Sequence, residues 1–130
     1  MPSVFTKIIN GNIPCHKIAE NENYIAFLDV FPLKNGHTLI VPKKEVDYLF
    51  DLDSNTYLGL MDFSKKIAIA IKLAFPCNRI GMTVIGLEVP HAHIHLIPIN
   101  VMNDMNFGNT KLSLTKEEFE LCAEKIKSFL

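Results

Sequence analysis

Several features that would point to large classes of function are missing from this chain. No apolar run is long enough to cross a bilayer as a helix, which excludes a helical membrane span. Cationic excess is missing too: 13 Lys and Arg stand against 14 Asp and Glu, a formal net charge of −1. Binding to a phosphate backbone or an anionic lipid surface calls for a basic patch. Neither nucleic acid nor membrane is therefore expected as a partner, although a local site could still serve a small anion. Cysteine is scarce: Cys15, Cys77 and Cys122 are odd in number, widely spaced, and none forms a C-x-x-C. They read as free thiols in a reducing compartment, so a cytoplasmic location is expected. Met1 to Asn10 lacks the basic-then-apolar order of a secretory leader. No internal repeat or low-complexity segment is visible. What is present is apolar, 48% of 130 residues, which suffices for one domain over 1–130 with an adequate core.

Histidine is concentrated. Of five, three fall on alternate positions in Val89-Pro90-His91-Ala92-His93-Ile94-His95-Leu96-Ile97-Pro98. Period two is that of a strand, whose successive side chains point to opposite faces. One face would carry His91, His93 and His95, the other Ala92, Ile94 and Leu96. A row of imidazoles suits a metal, because His-x-His presents two nitrogens to one zinc. It equally suits nucleophilic and acid–base chemistry on a phosphate, where one ring attacks and its neighbours donate to anionic oxygens. A polar, solvent-facing strand surface is the plain alternative.

In chain order, Val4 to Ile9 is a short helix or turn ended by Gly11 and Pro14. A hairpin follows, Lys17 to Glu20 and Tyr24 to Asp29 around Asn21-Glu22-Asn23. Asp29 opens a loop, where it caps the turn or accepts from a pair of sugar hydroxyls. His37 to Val41 is a third strand, closed by Pro42. Asp53 and Ser54 suit an N-cap. The helical spacing of Tyr57, Leu60, Met61, Ser64, Ile67, Ala68, Ile71 and Phe75 predicts a long amphipathic helix over Asn55 to Phe75. Arg79 to Ile85 is a fourth strand and His91 to Ile99 a fifth. Asn100 to Thr110, rich in Asn, Asp and Gly, reads as loop. Thr115 and Glu118 form a capping box for a final helix with Phe119, Cys122, Ala123, Ile126 and Phe129 or Leu130 as its stripe. Short connections make the sheet mostly antiparallel and the class α+β.

These residues resemble a known family. His91-Ala92-His93-Ile94-His95-Leu96-Ile97 fits the His-φ-His-φ-His-φ-φ signature of the histidine triad (HIT) family, φ being apolar. Lys7 to Pro14, Ala26 to Asp29 and Gly36 to Lys43 resemble HIT segments in the same order, so the likeness runs from about Val4 to Ile99. It is similar above all to the nucleotide-binding Hint branch and its bacterial members. The resemblance implies a five-stranded antiparallel sheet with a packed helix, a homodimer, and hydrolysis or transfer at the α-phosphorus of a purine nucleotide. It assigns His93 as nucleophile through a nucleotidyl-imidazole intermediate, His95 as donor to a non-bridging oxygen, His91 as orienting or proton-relaying, and His37 as part of the imidazole network. Asp29 would hold the ribose hydroxyls. Phe5, Ile8, Ile13, Phe27 and Val30 would line the base pocket, with Glu88 beside the nucleotide; for Ile13 and Val30 an ordinary core role reads equally well.

The chain also departs from the pattern. Many bacterial members hold a structural zinc through two N-terminal cysteines, a downstream histidine and the first triad histidine. Ser3, Thr6 and Glu45 stand at three of those positions, so no zinc and no cofactor are expected. Leu87 replaces a frequent glutamine, and Met82 to Gly86 is shorter than usual. A dinucleoside polyphosphate hydrolase, a nucleotide-binding module with little catalysis, and a three-histidine metalloprotein are the rival readings.

Overall fold

Two strands rich in apolar residues, Tyr24–Leu28 (β2) and Thr38–Pro42 (β3), are buried at every position. Such strands need cover on both faces. In the computed structural model, which describes residues 1–130, they are central to a five-stranded antiparallel sheet of order β1-β2-β3-β5-β4. β1 is Lys17–Glu20, β4 is Arg79–Thr83 and β5 is Ile94–Ile99. The helices are α1 (Val4–Ile9), α2 (Ser54–Ala74) and α3 (Lys116–Lys127). The α+β class and the five strands are those expected.

Each face of the sheet has its own core. Ala26, Leu28, Ile40, Ile94 and Leu96 join α2 and α3 in a cluster of 19 buried residues. Ile25, Phe27, Leu39 and Val41 point the other way and meet Phe5 of α1. The period of two in β2, β3 and β5 thus sorts side chains between a thick core and a thin one, and the thin one borders the histidines.

Local chemistry sets the element ends. Asp53 caps α2 by accepting from Thr56 N–H at 3.1 Å. The helix begins at Ser54 and ends at Ala74, one residue earlier at each end than its spacing predicts, with Pro76 unable to continue it. Gly59 lets the ring of Tyr24 lie against α2, where the Tyr24 hydroxyl donates to Thr56 O at 3.0 Å. A Cβ at position 59 would sit 2.0 Å from the Tyr24 hydroxyl oxygen, so the packing excludes alanine despite its better helix propensity. The capping box of α3 forms as expected, with Thr115 and Glu118 bonding reciprocally. Its stripe stops at Ile126, because α3 ends at Lys127 and leaves Phe129 and Leu130 exposed.

The limits of four strands are corrected, among them β3, which runs Thr38–Pro42 rather than His37 to Val41. β2 ends at Leu28 rather than Asp29, and β4 ends at Thr83 rather than Ile85. β5 starts at Ile94, so His91 and His93 precede the strand. The ladder ends at Ile40 opposite Ile94 and at Thr83 opposite His95. Before it, the backbone donors go elsewhere: Ala92 N–H to Val46 O at 2.7 Å and His91 N–H to Val89 O at 2.8 Å. The alternation of faces nevertheless persists, since Ala92 enters the main core with Ile94 and Leu96.

Candidate active site

A cleft of about 580 Å³ opens on the α1 side of the sheet. His95 faces it from β5 and His93 from the segment just before that strand, Asp29 and Val30 from just beyond the end of β2, and Phe5 and Ile8 from α1. Phe27, Ile13 and Glu88 border it as well. The sheet end supplies these side chains because the edge of the thin core is open there: Val30 is 55% exposed, while Phe27 is buried.

Hydrogen bonds fix what each imidazole offers. His93 Nδ1 lies 2.8 Å from the carbonyl of His91. A carbonyl only accepts, so Nδ1 carries the proton and Nε2 keeps its lone pair. His37 Nδ1 accepts from Leu33 N–H at 3.0 Å, which places the His37 proton on Nε2. That proton is directed at His95 Nδ1, 3.0 Å away. His95 in its neutral form is then protonated on Nε2, and is a donor there. The two cleft rings are complementary, one with a free lone pair and one with a free N–H, at a centroid separation of 4.9 Å.

Burial keeps the rings neutral. His93 is pushed below the ordinary imidazole value chiefly by desolvation, with the bond to the His91 carbonyl opposing. Desolvation lowers His37 to about 4, against the attraction of Asp29. His95 falls to about 3 through desolvation, with repulsion from His93 and His37 adding to it.

Asp29 shapes its own loop, as the turn-capping reading expects. Its Oδ1 accepts from Phe31 N–H at 2.8 Å, an Asx turn that shapes the loop. Its Oδ2 is 3.4 Å from His37 Nε2 and 3.9 Å from His95 Nδ1. A carboxylate has lone pairs to spare after these contacts, and Asp29 borders the cleft.

His91 and His37 do not reach the cleft. His91 is wholly buried, donating from Nε2 to Pro42 O at 2.7 Å and meeting Ser3 Oγ at 2.7 Å through Nδ1. Both ring nitrogens are bonded to protein groups that do not line the cleft. His37 is 1% exposed and acts from behind His95. The loop after β5 contributes two residues that the sequence did not suggest. Phe107 sets its ring edgewise on His95 at 4.9 Å, and Lys111, donating to the carbonyls of Phe107 and Asn109, borders the cleft. An aromatic inside an Asn- and Gly-rich stretch was the only signal available.

Neither possible metal centre suits a metal. Asp29, His37 and His95 bring ligand atoms within 4.8 Å of one another. A metal on His37 Nε2 would force the proton to Nδ1, against Leu33 N–H, which would leave a buried donor facing a donor. The zinc implied for many relatives would lie among Ser3, Thr6, Glu45 and His91. Two of these offer neutral hydroxyls in place of thiolates, and His91 Nδ1 is already bonded to Ser3.

Known proteins complete the picture. A family model described as HIT domain matches residues 10–101. An adenosine 5'-monophosphoramidase of Schizosaccharomyces pombe is 30% identical over 130 residues, covering 98% of both chains. An uncharacterized HIT-like protein of Borreliella burgdorferi is 35% identical over 127 residues, covering 90% of both. The crystal structure of a Hit-like protein from Bartonella henselae superposes with a TM-score of 0.85 at 32% identity, covering 98% of this chain and 96% of that one.

Proposed function

This chain belongs to the HIT domain family, and from that premise we propose that it hydrolyses nucleoside phosphoramidates or related adenylated compounds at the α-phosphorus. The observation that carries the reading is the pair of complementary imidazoles, His93 with a bare Nε2 and His95 with a protonated one, on one wall of an apolar cleft. The S. pombe relative's name supports the substrate class.

In this reading the base lies among Phe5, Ile8, Phe27 and Val30, and Asp29 takes the ribose hydroxyls. His93 Nε2 attacks phosphorus while the bond to the leaving amine breaks, and the amine departs with a proton from solvent. His95 Nε2–H donates to a non-bridging oxygen whose charge builds in the transition state. Water then attacks the nucleotidyl-imidazole, gives up a proton and releases AMP, restoring neutral His93. Low basicity keeps His93 a neutral, free nucleophile at neutral pH and makes it a good leaving group. Supplied with an adenosine phosphoramidate, the protein should release AMP and the free amine. Release from dinucleoside polyphosphates alone would move the reading to that hydrolase, and AMP binding without any release would move it to a binding module.

The same reading includes one domain and a homodimer. The 19-residue core draws on residues from Ile18 to Ile126, which favours a single folding unit. β4 is an edge strand with Met82 44% exposed, and α2 beside it exposes Ile69 and Leu73. An open, apolar edge of this kind invites pairing with a second copy. Sedimentation should give twice the chain mass, and Met82→Lys should shift it toward one; a wild-type mass of one chain would remove the dimer.

A further inference from the structure

The buried N-terminal residue Ser3 touches the triad from 88 residues away. We infer that Ser3, Thr6 and Glu45 are positioning residues of His93, a hydrogen-bonded clasp that sets the His91 ring and, through the His91 carbonyl, the nucleophile's orientation and tautomer. This rests on His93 being the nucleophile.

The bonds run in one direction. Glu45 Oε1 accepts from Ser3 N–H at 2.7 Å and from the Thr6 hydroxyl at 2.6 Å. The proton of Thr6 is thereby used, so its 3.4 Å approach to His91 Nδ1 is secondary. Ser3 Oγ accepts from Thr6 N–H at 3.0 Å, and its own proton has two acceptors, Thr6 Oγ1 at 3.3 Å and His91 Nδ1 at 2.7 Å, of which the His91 contact is the shorter. His91 Nε2–H is committed to Pro42 O, so in the neutral ring Nδ1 takes that proton at 2.7 Å. The carbonyl of His91 in turn takes Nδ1–H of His93 at 2.8 Å. Removing the Ser3 hydroxyl leaves a buried imidazole nitrogen without its donor, a loss that a ring can relieve by shifting its proton or turning.

Two other contacts bind the clasp to the same place. Val46, next to Glu45, accepts from Ala92 N–H at 2.7 Å, so one loop holds both the clasp and the turn that carries His91. Phe5, on the helix that Ser3 caps, sets its ring edgewise on His93 at 4.9 Å. The carboxylate of Glu45 is held down to about 2 by these donors, Ser3 N–H first, and so remains an acceptor across the working range of pH. The four residues stand where the resemblance implies zinc, and their donors and acceptors close on one another without it.

The test compares wild type with Ser3→Ala, Ser3→Thr and Glu45→Gln. Imidazole ¹⁵N–¹H correlation spectra report the tautomers of His91 and His93, AMP titration reports binding, and single-turnover mixing with an adenosine phosphoramidate reports the rate of nucleotidyl transfer to His93. In Ser3→Ala the uniform Nε2–H pattern of His91 should be lost and the Nδ1–H signal of His93 should shift. Transfer should slow about 10-fold or more, as for losses of residues that orient a ligating histidine, with AMP affinity within about threefold of wild type. Ser3→Thr should restore both signals and rate, and Glu45→Gln should fall between. Signals of His93 and a transfer rate at wild-type values in Ser3→Ala would overturn the clasp. If wild type transfers nothing, the proposed reaction fails, yet the tautomer spectra still decide whether the clasp sets His93.

Discussion

Replacing His93 with alanine should lower turnover about 10,000-fold or more while leaving AMP binding within a few-fold, since losing a covalent nucleophile removes the reaction path rather than a fraction of it. No other ring in the cleft can take over. His95 offers an N–H where a lone pair would be needed, because its Nδ1 faces the proton of His37. His91 and His37 are buried behind the wall and bonded at both nitrogens. Binding should survive because Phe5 loses one edgewise contact but keeps its packing on Phe27 and the thin core, and Asp29 is held by its own turn. Steady-state kinetics together with calorimetric AMP titration check the prediction. Turnover close to wild type would remove His93 as nucleophile.

The second large effect is on stability in acid. His37 titrates at about 4 and His95 at about 3, both displaced from 6.5 by desolvation before any other cause. The unfolded chain therefore binds protons near pH 6.5 that the folded chain refuses. The stabilisation is whole above pH 6.5 and is lost progressively as pH falls toward 4. For each such histidine the slope is up to about 1.4 kcal/mol per pH unit. Carboxylates whose values are lowered, such as Asp53 and Asp104, begin to contribute only nearer their own range, so pH 6.5 to 5 isolates the imidazoles. Urea unfolding across that interval should show stability falling steadily. His37→Phe, which removes one refused proton, should flatten the slope. Activity should follow the same chemistry: burial lowers His93 as well, so the acid limb of kcat/KM should lie below pH 6.5. A flat stability profile, or loss of activity centred above 6.5, would contradict the neutral-ring site.

Much of this was legible in the sequence where one local rule dominates. Alternation in Ala92, Ile94 and Leu96 assigned the faces of the histidine segment, and the N-cap residues Asp53 and Thr115 marked two helix starts. The alternation could not say where the strand began, because Val46, far away in sequence, captures the amide of Ala92 before the ladder opens. The histidine spacing placed His93 and His95 on one wall together. It could not separate them from His91, whose side chain is turned inward by Ser3 and Pro42. Phe107 and Lys111 were missed because their loop has no period to read. A non-local bond, Leu112 N–H to Pro32 O at 2.8 Å, brings the end of that loop over the site. The likeness of Ser3, Thr6 and Glu45 to lost zinc ligands was visible in the chain, but their mutual bonds required the fold.

The most direct measurement is intact-protein mass spectrometry during a single turnover of an adenosine phosphoramidate. His95→Ala should be included to slow breakdown of the intermediate. The expected result is a transient adduct of nucleotidyl mass on wild type and on His95→Ala, and none on His93→Ala. AMP release with no adduct on any variant, or an adduct that persists on His93→Ala, would contradict it.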